Sequence, residues 1–169
     1  SMLKSAHNLH PARAPMKFFS SLVLAATLVL SGCASVDMAS QAENAKAKEF
    51  KAPSQGMAGV YIYRDSMMGK ALKRDLWLDG QCVGTSAPDV FFYKEVSGGK
   101  TYKIDTESEF SPNTLELMVE AGKNYFVRQF IKMGVLSGGS DLEKMPEDQG
   151  QKAVAKLNMA SPGQCKKTR

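Results

Sequence analysis

From Gly59 onward, apolar and polar side chains alternate with a period of two. Val60 and Ile62 alternate with Tyr61 and Tyr63, Leu76 and Leu78 with Trp77 and Asp79, and Tyr102 and Ile104 with Lys103 and Asp105. Leu115, Leu117 and Val119 do the same with Glu116, Met118 and Glu120. An extended chain sends successive side chains to opposite faces, so these segments are predicted to be half-buried strands. Two more strands are predicted at Val90 to Val96, with Phe91, Phe92 and Tyr93, and at Asn124 to Met133, with Tyr125, Phe126, Val127, Phe130 and Ile131. Turn signals separate the runs: Asp79-Gly80, Ser97-Gly98-Gly99, Ser111-Pro112-Asn113, Ala121-Gly122-Lys123 and Ser137-Gly138-Gly139. Their spacing is that of antiparallel hairpins. Asp79-Gly80 is the sharpest, because a two-residue loop of type I′ needs positive φ at both central positions. One helix is predicted, from Pro146 to Met159, with Glu147 and Asp148 at its positive end and Ala153, Val154 and Leu157 on one face. The pattern therefore predicts a mainly β domain over residues 56–160, a small antiparallel β-sandwich or open barrel of about seven strands with one C-terminal helix. Residues 161–169 form a tail.

Upstream of residue 56 the pattern changes. Lys17 precedes an apolar run from Phe18 to Leu30, and Leu30-Ser31-Gly32-Cys33 closes it. This order is that of a secretory signal peptide spanning residues 1–32. The run is too short for a membrane-spanning helix, which needs about 20 apolar residues. Residues 1–15 fit neither part and read as an overcalled start or an added segment. From Ala34 to Gln55 the chain is rich in Ala, Ser, Lys, Glu and Gln and ends in Pro53-Ser54-Gln55-Gly56. Such a composition predicts a flexible tether over residues 33–55, partly helical through Gln41 to Phe50, that holds the domain off a lipid surface.

The residues Leu30-Ser31-Gly32-Cys33 resemble the lipobox of bacterial lipoproteins. The resemblance implies cleavage between Gly32 and Cys33 and a mature chain that begins with acylated Cys33. Three acyl chains make release from a membrane negligible where one gives only marginal binding. Ala34 after the cysteine, where an Asp would mark retention, implies the outer membrane, with the domain facing the periplasm.

Cleavage also changes the charge. The whole chain carries a formal net charge of +5, but Lys4, Arg13 and Lys17 lie upstream of Cys33, which leaves 19 basic residues against 17 acidic ones. The remaining cations are interspersed with Asp and Glu, so no footprint for nucleic acid is expected. Both histidines, His7 and His10, are upstream as well. A histidine-free mature chain excludes Ser-His-Asp and Cys-His nucleophile pairs, and it lacks the commonest zinc ligand.

With Cys33 acylated, Cys82 and Cys165 are the remaining thiols, and in an oxidising compartment they are expected to pair; the other reading keeps both free, with Cys82 buried in a strand. No CxxC spacing points to redox catalysis or zinc. Trp77, Tyr61 and Tyr63, with Phe92 and Tyr93, are candidates for an aromatic platform that binds a small ligand or glycan, although aromatic residues on strands more often fill cores. Asp105, Glu107 and Glu109 alternate as calcium ligands would, or as a solvated sheet face, and the second reading is taken. Ser137-Gly138-Gly139-Ser140 lacks the Lys-Ser/Thr of a phosphate loop and reads as a turn. Lys166-Lys167-Thr168-Arg169 reads as a solubilising tail.

Tyr61-x-Tyr63-Arg64, Leu78-Asp79-Gly80 with Gly84, and Gly122-Lys123-x-Tyr125-Phe126-Val127-Arg128 together resemble the bacterial lipoproteins grouped as DUF2846, a domain of unknown function, over residues 56–160. The Leu78-Asp79-Gly80 turn is also similar to that of the β-sandwich modules called PEGA domains. Neither resemblance implies catalytic residues, a metal or a cofactor. The expected function is a non-catalytic structural or protein-interaction module, anchored to lipid through Cys33 and partnered by another envelope protein. A receptor for a small ligand or glycan is the alternative.

Overall fold

The computed structural model describes residues 34–166. Its central strand, Met57–Arg64 (β1), is buried at every position from Ala58 to Arg64, so both of its faces need cover. The other strands are Arg74–Leu78 (β2), Gln81–Ser86 (β3), Val90–Ser97 (β4), Lys100–Thr106 (β5), Asn113–Val119 (β6), Asn124–Lys132 (β7), Gly139–Met145 (β8) and Asn158–Met159 (β9). Among the described residues two helices accompany them, Gln41–Ala47 (α1) and Glu147–Val154 (α2). One sheet runs β8-β7-β1-β4-β9 and the other β3-β2-β5-β6. The fold is a β-sandwich with helices on one outer face, and the open-barrel alternative does not hold. β6 and β8 approach at the open side without sharing a ladder, and the Asn113 side chain donates across the gap to the Ser140 carbonyl at 2.6 Å.

Alternation decides what each strand gives to which layer. Val60 and Ile62 of β1 meet Leu76, Leu78, Ile104, Leu117 and Val127 between the sheets. Tyr61 and Tyr63 point the other way and join Phe91, Phe126, Ala47, Val154 and Leu157 in a second core. There the Tyr61 and Phe126 rings stack at 4.8 Å. A fully buried side chain of this size stabilises the fold by about 1.5–3 kcal/mol, so the second core is a major contributor.

The strand runs and the Asp79-Gly80 turn follow the sequence pattern closely. Asp79 has φ 48° and Gly80 φ 78°, the two positive values that a type I′ loop requires, and this hairpin joins β2 to β3. The Asp79 carboxylate further accepts from the Lys103 backbone N–H at 2.8 Å, which ties the turn to β5.

Several expectations are corrected. Ser97-Gly98-Gly99 and Ala121-Gly122-Lys123 do not make hairpins. β4 pairs with β1, and β6 with β5, so both turns carry the chain from one sheet to the other. They pack together at one end, where a Cβ on Gly98 would run into the Ala121 backbone. A turn signal encodes a reversal of direction and not the strand that follows as partner.

The predicted helix from Pro146 to Met159 stops at Val154, because Asn158 and Met159 leave it to pair with Val90 and Phe91 as β9. Among the described residues the strand count is nine where about seven are expected, the additions being β9 and the Gly139–Met145 strand, which no long apolar alternation marks. The tail is also held in place: Gly163 bridges to Gly84, and the Lys166 N–H donates to Asp75 at 2.8 Å.

The expected flexible tether is, from Ala34 on, part of the fold. Ser40 and Glu43 form a capping box that starts α1, Met38 bridges to Ala160, and Asn44 accepts from the Met159 N–H at 2.9 Å. Phe50 sits at φ 51°, an unfavourable value for a non-glycine residue. It is held there by ring contacts with Tyr61 at 5.5 Å and Phe126 at 6.0 Å, and by Asn124, whose amide donates to the Phe50 and Lys51 carbonyls at 3.3 and 3.0 Å. Few apolar residues lie in this segment, but Val36, Ala47 and Phe50 all fall where the domain needs them. The Phe50→Ala variant is expected to lose about 2 kcal/mol, read as a lower urea midpoint at unchanged m, because it removes a half-buried ring from the second core.

Candidate functional site

The aromatic residues singled out from sequence do not converge. Trp77 alternates with core residues Leu76 and Leu78, so its side chain lies on the outer side of the second sheet, and it is 2% exposed. Tyr61 and Tyr63 lie on the outer side of the first sheet at 1% and 2% exposure, and Phe92 is in the inter-sheet core. Layers of packed side chains separate these groups. No stacking platform that includes Trp77, Tyr61 and Tyr63 exists.

Tyr61 and Tyr93 nonetheless border a hollow of about 490 Å³ beneath α1, together with Ala47, Lys51, Glu95 and Met159. Its two phenols and the Glu95 carboxylate are already engaged. The Tyr61 hydroxyl donates to the Ala47 carbonyl at 2.7 Å, and Tyr93 donates to Glu95 at 3.2 Å. The Ser54 backbone N–H donates to Glu95 at 3.0 Å and holds its carboxyl below the ordinary carboxylate range. Burial pushes the Tyr61 phenol up, and that of Tyr93 up to about 12, so neither exchanges a proton near neutrality.

The three acidic residues at alternating positions also separate. β5 ends at Thr106, so only Asp105 is on the strand, where it accepts from the Thr114 hydroxyl. Glu107 accepts from the Asp75 N–H at 3.2 Å. Glu109 reaches the β7–β8 loop, where it accepts from the backbone N–H groups of Val135 and Ser137, each at 2.8 Å, and of Leu136. Among the described residues, no three His, Cys, Asp or Glu side chains are grouped to hold a metal ion.

Cys82 and Cys165 form a disulfide with Cα atoms 5.8 Å apart, joining β3 to the segment after β9. Gly32 and Cys33 lie outside the described residues. The next residue, Ala34, donates its backbone N–H to the Lys70 carbonyl at 2.7 Å. Lys70 belongs to the β1–β2 loop, residues 65–73.

That loop lies at the end of the sandwich where sequence reading placed no site. β7 runs parallel to β1, and β2 runs antiparallel to β5, so the β1–β2, β5–β6 and β7–β8 loops all emerge at the same end. Arg64, fully buried at the end of β1, holds the first loop by donating to the carbonyls of Leu72 at 2.7 Å and Gly69 at 2.8 Å. Burial lowers its guanidinium to about 10, still charged at neutral pH. Arg74 donates to the Gly138 carbonyl at 2.7 Å and ties β2 to the third loop. Beneath the loops, Ser86, Thr106, Gln129 and Ser140 form a buried network: Gln129 accepts from Ser86 and donates to Thr106 at 2.8 Å, and Thr106 and Ser140 hydroxyls meet at 2.7 Å. A fully satisfied buried network holds these four strands in one arrangement.

The loop tips carry Met67, Met68, Phe110, Met133, Val135 and Leu136, six of the eight large apolar side chains exposed among the described residues. The signal in sequence is the placing of apolar residues inside turns, as in Met67-Met68-Gly69 and Gly134-Val135-Leu136-Ser137, where no strand or helix calls for them. The opposite end, built from Asp79-Gly80, Ser97-Gly98-Gly99 and Ala121-Gly122-Lys123, carries none of the six.

Two measurements follow from this geometry. The Cys82→Ala/Cys165→Ala double variant is expected to lose up to about 4.5 kcal/mol, the chain-entropy value for a loop with a sequence separation of 83, read by urea unfolding. Desolvation raises the Glu109 carboxyl, but the N–H groups of Ser137, Val135 and Leu136 outweigh it and leave a net lowering from the ordinary 4.5. A carboxyl with a lowered folded pKa contributes order above its unfolded value and loses it as pH falls through the folded one. The amide NMR shifts of Val135, Leu136 and Ser137 are therefore expected to hold steady down to about pH 5 and to move together below 4.5.

Comparison with known proteins places this architecture in a family. An uncharacterized protein of Haemophilus influenzae (strain ATCC 51907 / DSM 11121 / KW20 / Rd) is 52% identical over 143 residues, covering 85% of this chain and 84% of that protein. The profile described as protein of unknown function (DUF2846) matches residues 54–140, a stretch that runs from just before β1 to the start of β8 and includes Arg64, the Asp79-Gly80 turn, Glu109 and Gln129. On the strength of both matches, the chain belongs to the DUF2846 family.

Proposed function

We propose that the chain is an exported, lipid-anchored protein of the bacterial cell envelope whose folded part is a non-catalytic interaction module. The disulfide is the observation that carries this reading. Such bonds persist in oxidising compartments outside the cytoplasm, and pairing of Cys82 with Cys165 leaves Cys33 as the one other cysteine in the chain, at the end of an apolar leader. The proposed site is the outer membrane, facing the periplasm, with another envelope protein as partner.

The absence of histidine after Cys33 and the structural engagement of Asp105, Glu107, Glu109 and Glu95 support a role without catalysis. The receptor reading retains one supporting observation, the hollow beside Tyr61 and Tyr93.

Mass spectrometry of the protein purified from membranes tests the anchor. The expected amino-terminal residue is Cys33, its mass increased by a diacylglyceryl group and an amide-linked acyl chain. The Cys33→Ser variant is expected to remain unacylated and uncleaved at position 32. An intact leader on an unmodified Cys33 in the wild-type chain would overturn the proposal.

A further inference from the structure

We infer that the loop end bearing Met67, Met68, Phe110, Met133, Val135 and Leu136 is a membrane-contact face that sits in the lipid interface beside the acyl chains. The inference rests on the proposed acylation of Cys33 and goes beyond it. Acylation alone says that the protein is tethered, and not which surface meets the bilayer.

Position decides the orientation. Cys33 is bonded directly to Ala34, and consecutive Cα atoms are about 3.8 Å apart. The Ala34 N–H is in turn bonded to the Lys70 carbonyl in the β1–β2 loop. From Ala34 the chain continues through the Met38 bridge into α1, so no free linker lies between the acylated residue and the domain. The acyl chains therefore enter the bilayer next to this end, and the end has to face the lipid.

Its composition suits that place. Scattered exposed apolar residues are ordinary on a protein surface, but here six gather on three loops, the first held by Arg64, the second tied to the third by Glu109, and the third tied to β2 by Arg74. They protrude as tips from held loops and can insert among headgroups without unfolding anything. Lys70 and Lys73 are exposed at the rim, where ammonium groups meet lipid phosphates. The opposite end presents Asp79, Lys123 and glycine turns, a surface suited to water.

The test uses the acylated full-length mature protein reconstituted in vesicles of phosphatidylethanolamine and phosphatidylglycerol. One variant carries Leu136→Trp, at a position 80% exposed and so harmless to folding, and a second carries Lys123→Trp at the other end. Trp77 is buried and gives a constant background in both. With bromine on the acyl chains, the Leu136→Trp emission is expected to shift to shorter wavelength and lose intensity, while the Lys123→Trp emission stays unchanged. Adding Val135→Asp and Met133→Asp to the Leu136→Trp variant is expected to reverse both effects.

Unquenched Leu136→Trp emission from protein that still floats with the vesicles would overturn the membrane-contact face and leave the anchor standing. Acylated protein that fails to float would overturn both. A photo-crosslinker at position 136 in living cells is expected to yield lipid adducts, and a single protein adduct in their place would assign the loops to a protein partner and overturn the inference.

Discussion

Burial of β1 on both faces is the constraint on which the rest of the molecule depends. A sandwich needs only one apolar face per sheet, and the other is free to meet water. β1 instead turns Val60 and Ile62 inward and Tyr61 and Tyr63 outward, and Phe91 and Phe126 from its two neighbours extend the outward apolar patch. Something has to cover that patch. α2 covers part of it with Val154 and Leu157, and the segment before β1 covers the rest with Ala47 and Phe50. The unfavourable backbone of Phe50 shows how strongly the patch recruits its cover, since ring packing holds a conformation that costs of order 1 kcal/mol. The position of Ala34 against Lys70 follows in turn, because a segment docked along the sheet has to begin near one end of it.

Much of this was legible in the chain. The period of two located the strands, and Asp79-Gly80 specified its hairpin down to the sign of φ. What eluded sequence reading shares a cause: pairing and cover are decided by residues far apart. Gly98 and Gly122 mark turns as clearly as Gly80 does, but the strands on either side of each lie in different sheets, because β1 takes β4 and β7 on its two edges while β5 pairs with β6. The segment from Ala34 to Gln55 reads as a tether because average composition conceals three well-placed apolar side chains. The aromatics misled for the opposite reason, as Trp77 and Tyr61 stand close in sequence and on different sheets in space. The loop tips were visible as apolar residues inside turns, yet their gathering at one end needed the topology.

The two ends of the sandwich differ in how they are made. At one, glycine turns bring backbones into direct contact and need few side chains. At the other, Arg64, Arg74, Glu109 and the Ser86–Thr106–Gln129–Ser140 network brace long loops from below. Buried polar groups cost stability unless satisfied, so their concentration at the second end marks where the fold invests in rigidity. Loops held in this way can display large apolar side chains to the outside without collapsing onto the core.

The crosslink between positions 82 and 165 also sets an order of events. Its first sulfur belongs to β3, but its second follows β9 and with it every strand and helix among the described residues. Pairing with this partner must wait until the segment after β9 is available. The covalent bond thus seals a domain whose sheets are already able to assemble, and it secures the finished protein against later unravelling without directing how the sheets first come together.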